Sequence, residues 1–206
     1  MTITEKQRGL IFVLVGPGGA GKNTLMQHVL NAFAPITQLA TATTRPMRDG
    51  EQQGREHLFV TLERFRQMID NDELLEHQEV TPDKWYGIPR ASVEDKLNSG
   101  GYLIADIDVL GAKILRENYA QDAVLIFINV PGATIDEQLA VLRNRMGNAE
   151  RNEDDKHIQE RLQRAQEIEL PFREKCDFVI VNDNLERAAN ELKQIIRTKL
   201  AERQTT

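Results

Sequence analysis

The sequence predicts an α/β fold: a phosphate-loop (P-loop) parallel β-sheet core flanked by helices, with a small acceptor-binding insert and a mobile lid. Three observations carry the fold class. Short runs that are apolar on both faces recur at 10–15, 102–105, 123–129 and 177–181, as buried parallel strands require. Helical patterns lie between and after them, at 111–118, 135–145, 155–169 and 185–202, so strand alternates with helix. The first apolar run ends in a Gly-rich turn that opens a further helix, over 22–33, stopped by Pro35.

Taken in chain order, a second strand is expected over 38–43. The segment 45–90 then breaks the strand–helix rhythm. It holds short strand candidates at 58–61 and 75–80 around a short helix at 62–69, and reads as an insert on the carboxyl edge of the sheet. The core is thus 9–44 plus 91–206, in one domain. The stretch 146–156, MGNAERNEDDK, is too polar to enter a core. It reads as a mobile loop of the kind that closes over active sites, with the lid spanning about 143–161.

Composition excludes several roles. The 206 residues are 40% hydrophobic and 28% charged, so the chain can bury a core and is not disordered as a whole. Net charge is -6, which argues against gripping a nucleic-acid backbone but not against a small anion that reads a local field. The acidity concentrates in 62–110. The one cysteine, Cys176, precludes an intrachain disulfide or an all-Cys zinc site. No apolar run is long enough to span a bilayer, and the amino-terminal residues lack the pattern of a signal peptide. A cytoplasmic location, with no membrane or nucleic-acid partner, is expected.

The Gly-rich turn is Gly16-Pro17-Gly18-Gly19-Ala20-Gly21-Lys22. Its glycines allow successive backbone N–H groups to turn inward around an anion, and the helix that follows points its positive end there. Lys22 supplies a mobile charge for the outer phosphates of a nucleoside triphosphate. The residue after the lysine is Asn23, and the hydroxyl comes one later, at Thr24. Both are candidates to face a metal–phosphate group.

Downstream, Thr43-Thr44-Arg45-Pro46-Met47-Arg48-Asp49-Gly50-Glu51 places two arginines three apart. Their planar forks can converge on one phosphate. With Gly54, His57 and Phe59, then Leu74-Leu75-Glu76, Trp85-Tyr86-Gly87, Asp106-Ile107-Asp108 and Val181-Asn182-Asp183 following in order, the chain resembles the guanylate kinases, which are P-loop nucleoside monophosphate kinases. The resemblance covers about 10–196.

It implies ATP-dependent phosphorylation of GMP, and of dGMP, in purine nucleotide metabolism, with Mg²⁺ accompanying the ATP. Arg45 and Arg48 would hold the acceptor phosphate with Glu51, His57 and Tyr86. Glu76 would take the guanine N1–H and 2-amino groups, and Thr41 would lie near the base. Asp108 would approach GMP, and Asp106 and Thr24 would face the hydrated metal. Asp106 has a second possible role as a helix N-cap. Asn182 would meet the ATP adenine, although an Asn-Asp turn after a strand needs no ligand. Arg145 and Arg161 would swing onto the phosphates with Lys22 and Arg45; Arg143 is an alternative to Arg145.

Three departures stand out: His57 replaces the signature tyrosine, Ile88 replaces the usual threonine after Tyr-Gly, and the lid is longer. His57 and Ile88 leave open a related kinase acting on another phosphorylated acceptor, such as a ribose phosphate. The intact Gly21-Lys22 argues against a third reading, an inactive binding module. Nothing in the sequence separates monomer from homodimer.

Overall fold

The computed structural model describes residues 7–147 and 155–205. It contains two sheets among the described residues. The elements are β1 (Leu10–Val15), α1 (Lys22–Leu30), β2 (Ile36–Gln38), β3 (Thr41–Thr43), β4 (His57–Phe59), α2 (Leu62–Asp70), β5 (Leu74–Thr81), β6 (Lys84–Pro89), α3 (Arg90–Asn98), β7 (Tyr102–Asp106), α4 (Val109–Asn118), β8 (Ala123–Asn129), α5 (Ile135–Gly147), α6 (Asp155–Arg164), β9 (Phe178–Val181) and α7 (Leu185–Thr205).

The main sheet is parallel, ordered β2-β7-β1-β8-β9. Every residue of β1 and β8 is buried, because helices cover both faces. One apolar layer packs Phe12, Leu14, Met26, Ile126 and Leu192; the other packs Ile11, Val13, Val93, Leu115 and Phe127. The carboxyl ends of β1, β7 and β8 therefore open on one side, where ligands enter this class of sheet.

The smaller sheet, β4-β3-β6-β5, is mixed and has its own core of Ala42, Phe65, Met68 and Leu74. It arises because the strand expected over 38–43 is two strands. The chain leaves the main sheet after Gln38, Leu39 donates its N–H to the Ile104 carbonyl, and Thr41 begins the second sheet. Strand β6 escapes hydrophobic patterning because Gly87 and Pro89 interrupt it. Gly87 has a packing reason: a Cβ there would lie 2.8 Å from the Glu76 carbonyl oxygen of β5.

Helix α6 does not continue as α-helix to 169. Residues Ala165–Glu169 form a π-helical turn, and Pro171–Lys175 a 3₁₀ turn. A π turn inserts one residue and re-aims the side chains after it. Thr61, included in the strand expected at 58–61, caps α2 instead by accepting from the Arg64 N–H. The expected lid loop falls largely on 148–154, outside the described residues; α5 and α6 run to its two ends.

Candidate active site

The phosphate loop joins β1 to α1. Gly21 has φ +89°, and a Cβ there would lie 2.5 Å from Asn182 Nδ2, so no other residue fits without strain. Asn182 is buried and donates Nδ2 to the Ala20 carbonyl at 2.8 Å. Its side chain thus braces the loop. Lys22 Nζ folds back over the loop, donating to Gly16 O at 2.7 Å and Pro17 O at 3.3 Å, with Asp106 Oδ1 3.7 Å away.

A cavity of about 530 Å³ opens beside this loop at the carboxyl ends of β1 and β7. Gly16, Gly18, Lys22 and Asp106 form its phosphate end. Thr41, His57, Glu76, Tyr86 and Ile88 line the end formed by the small sheet. Two sites predicted separately from sequence therefore face one space. A larger depression of about 990 Å³ lies at the amino ends of β1 and β8, near Arg8, Tyr119 and Arg203, and holds none of the motif residues.

The titratable groups are set by burial and by each other. Burial pushes Asp106 up, and Lys22 opposes that. Burial, then the charge of Asp108, pushes Glu76 up to about 7. Glu76 Oε2 is buried without a hydrogen-bond partner, which is costly unless a ligand supplies a donor. Burial, then Arg45, pushes His57 down, so the imidazole is neutral near pH 7. Its Nδ1 shares a 2.7 Å hydrogen bond with Thr41 Oγ1, and its ring meets Phe59 and Tyr86 edge-on. Cys176 donates weakly to Phe172 O, and burial raises its thiol to about 12, so it is no nucleophile at neutral pH.

Arg45 is buried and stacks over Phe59. Its guanidinium is held by both Glu51 oxygens, at 2.7 and 2.5 Å, and lies near Tyr86. Glu51 also accepts from the Arg48 backbone N–H at 2.7 Å. Both its oxygens are engaged in this way, and through them Glu51 orients the Arg45 guanidinium. Arg45, Arg48 and Glu51 do not line the cavity, whereas Tyr86 and His57 do.

Glu51 is lowered to about 2, first by its Arg45 hydrogen bonds. A depressed carboxyl gives stability that is present above pH 4.5 and lost as pH falls toward 2. Glu51→Gln should therefore lower stability at pH 7 by about 2 kcal/mol, the worth of a charged hydrogen bond. The difference from the parent should shrink between pH 4 and 2 in thermal melts. A constant difference across that range would show that the ion pair does not carry the effect.

Among the lid arginines, Arg161 lines the cavity, and its guanidinium lies against Gly18. Arg145 does not line it; Nη2 donates to the Asn182 carbonyl at 2.7 Å. Arg143 is exposed on α5. Asn23 and Thr24 are both exposed; Asn23 borders a separate depression beside Gln27 and Gln53, and neither lines the main cavity.

Asp108, not Asp106, caps α4: Oδ1 accepts from Gly111 N at 2.9 Å. Its Oδ2 accepts from Gln78 Nε2 and from Arg164 Nη2, each at 2.8 Å. Arg164 Nε also lies 3.5 Å from Glu169 Oε1. Burial raises the Glu169 carboxyl, and Lys22 and Arg164 oppose that. Gln78, Arg164 and Glu169 thus belong to the cavity although sequence reasoning passed over them. Gln78 was within reach of it, since strand alternation puts it on the face of Glu76. Glu169 was not, because its direction depends on the π turn.

The sequence pattern of the guanylate kinase family matches residues 8–199. The guanylate kinase of Bradyrhizobium diazoefficiens is 37% identical over 97% of this chain and 87% of its own length. That of Salinibacter ruber is 38% identical over 93% of this chain and 97% of its own. The crystal structure of guanylate kinase from Anaplasma phagocytophilum superposes with a TM-score of 0.68, at 31% identity, over 94% of this chain and 87% of that one.

Proposed function

The chain belongs to the guanylate kinase family, and on that footing we propose that it transfers the terminal phosphoryl group of ATP to GMP, giving ADP and GDP. One observation carries the acceptor: Glu76 lines the same cavity as Lys22 and carries a buried oxygen without a hydrogen-bond partner. Guanine offers an N1–H and a 2-amino group to that oxygen, whereas adenine offers no such pair.

The phosphate loop and Lys22 receive the ATP phosphates, and Lys22 exchanges its bonds to Gly16 and Pro17 for phosphate oxygens. Arg45, oriented by Glu51 and Tyr86, draws the acceptor phosphate toward them, with Arg48 beside it. His57 donates to that phosphate from the place the family gives to tyrosine. Transfer needs no general base, since the acceptor phosphate is already an anion. The protein instead positions two anions and neutralises the charge that spreads during transfer.

Arg161 already faces the cavity; Arg145 would leave the Asn182 carbonyl and join it as 143–161 closes as a lid over both nucleotides. Closure excludes water, which would otherwise accept the phosphoryl group. The segment of about 45–90, which builds the small sheet together with β3 (Thr41–Thr43), acts as the acceptor-binding insert.

Magnesium is expected to arrive with the nucleotide. The described residues hold no cluster of three or more His, Cys, Asp or Glu side chains, and Asp106 presents one hard carboxylate oxygen near Lys22. That donor fits a hydrated ion carried on phosphates, which Asp106 would hold through water; Thr24, the other expected holder, is exposed and does not line the cavity. When bound, the ion neutralises charge on the transferring phosphates.

No helix among the described residues is long and apolar enough to cross a membrane. We read the protein as a cytoplasmic enzyme of small nucleotides, acting as monomer or homodimer without nucleic acid. A coupled ADP-release assay with ATP–Mg²⁺ tests the reading against GMP, dGMP, AMP, UMP and ribose phosphates. GMP and dGMP should turn over; turnover confined to a sugar phosphate would overturn it.

A further inference from the structure

The base-facing wall of the cavity has one donor that the reading so far leaves idle. On β5, alternation puts Glu76 and Gln78 on the same face, opposite Ile88 and Tyr86 of β6. All four line the cavity. Ile88 is 1% exposed and apolar, so the wall has no hydroxyl at that position. The Thr41 hydroxyl is engaged with His57. Guanine still carries a 6-oxo group, an acceptor that costs free energy if it is desolvated without a donor.

Gln78 is held in a way that fixes which end of its amide is which. Nε2 lies 2.8 Å from Asp108 Oδ2, and an ionised carboxylate can only accept, so the nitrogen is the atom on that side. Asp108 is in turn pinned by Gly111 N and Arg164. Its two oxygens already receive three donors, which makes it an anchor for the Gln78 amide more than an acceptor for the base. One Nε2 hydrogen points to Asp108, and the second has no protein acceptor among the described residues.

From this juxtaposition we propose that Gln78 is a specificity-determining residue of the acceptor site: its amide N–H, oriented by Asp108, donates to the purine 6-oxo group while Glu76 accepts from N1–H and the 2-amino group. The wall then reads donor, acceptor, acceptor along the base edge. Guanine presents acceptor, donor, donor and matches at every step. Adenine presents a 6-amino donor against the Gln78 donor and a bare N1 against the Glu76 carboxylate, and fails at both. Gln78 supplies on β5 the polar contact that Ile88 cannot supply on β6.

The inference rests on GMP being the acceptor, and the test separates the two. Gln78→Ala is compared with the parent enzyme for GMP, for IMP, which keeps the 6-oxo group and lacks the 2-amino group, and for 6-thio-GMP, which keeps both donors and replaces the oxygen with a weakly accepting sulfur. The variant should lower kcat/KM by about tenfold for GMP and IMP alike, mainly through KM, and by less than about threefold for 6-thio-GMP. Gln78→Met, which keeps the length of the side chain but has no donor, should behave as the alanine variant does and guards against a packing defect.

Equal losses for GMP and 6-thio-GMP would overturn the proposal and assign Gln78 only to holding Asp108. Unchanged kcat/KM for GMP would also overturn it. A parent enzyme that does not phosphorylate GMP would overturn the functional reading, and this proposal with it.

Discussion

Lys22→Ala should lower kcat by at least about 10³-fold while leaving GMP binding near its parent value. The magnitude follows from what the lysine does. Phosphoryl transfer gives the protein little covalent work, so losing a full positive charge at the moving phosphate removes about 4 kcal/mol of stabilisation from the transition state. The cost to folding is smaller. Lys22 is partly exposed and forms two bonds to loop carbonyls, at Gly16 and Pro17, that water can replace. A melt should therefore shift by only a few degrees.

One further consequence distinguishes this from a general loss of structure. Asp106 is already raised by burial and keeps Lys22 as its opposing charge. Removing Lys22 should raise the Asp106 carboxyl further, which a carboxyl NMR titration reads directly. Lys22→Arg should not restore the rate, because a planar fork cannot follow the path of a single ammonium through the loop. Isothermal titration with GMP alone, beside single-turnover kinetics with ATP, separates binding from transfer. Turnover within tenfold of the parent would remove Lys22 from the phosphate site.

How far such assignments can be read from sequence depends on what fixes each residue's place. The phosphate loop was legible because its chemistry is local. A buried strand, Gly16 to Gly21 and Lys22 determine the anion cradle among themselves, and β8 coincides with the apolar run at 123–129. The division at Leu39 and Ala40 was not legible, since 38–43 is one continuous stretch of strand-compatible residues and only the pairing of Gln38 with Ile104 and Thr41 with His57 splits it. Glu51 was legible as a member of the arginine cluster, but not as the carboxylate that holds Arg45. Its partner Arg45 lies six residues away, across a turn whose geometry spacing alone does not define. The bond from Asn182 to the phosphate loop was not legible either, as its amide reaches 162 residues back to Ala20. The capping role went to Asp108 although Asp106 fits the same pattern, because α4 begins at Val109. Gln78 was within reach through strand alternation, but its bond to Asp108, and that of Arg164 from α6, became visible only in the folded chain.

Glu76→Gln should weaken GMP by about 10- to 100-fold at pH 8 and abolish a pH dependence that the parent enzyme shows. The charged carboxylate is the form that accepts from two guanine donors, and charge-assisted hydrogen bonds are worth about 1.5–3 kcal/mol. Burial, then Asp108, raises Glu76 to about 7 in the free protein, so the accepting form is scarce in acid. At pH 6 roughly a tenth of the molecules carry it, and the apparent affinity for GMP should be about tenfold weaker than above pH 8. The GMP phosphate titrates in the same range, so the measurement is the difference between parent and variant, repeated with guanosine, which has no phosphate. For stability the sign reverses. A carboxyl raised in the folded state contributes stability that is fully present below pH 4.5 and lost as pH rises through about 7. The nucleotide-free parent should therefore lose more stability than Glu76→Gln between pH 5 and 8, and the variant should melt higher at pH 8 while binding GMP worse. This opposition is what a ligand-directed buried carboxylate requires, since its unpartnered oxygen destabilises the empty protein and is satisfied only by the base. A variant that binds GMP with the parent's pH slope, or that loses ATP affinity as much as GMP affinity, would show that Glu76 does not meet the guanine.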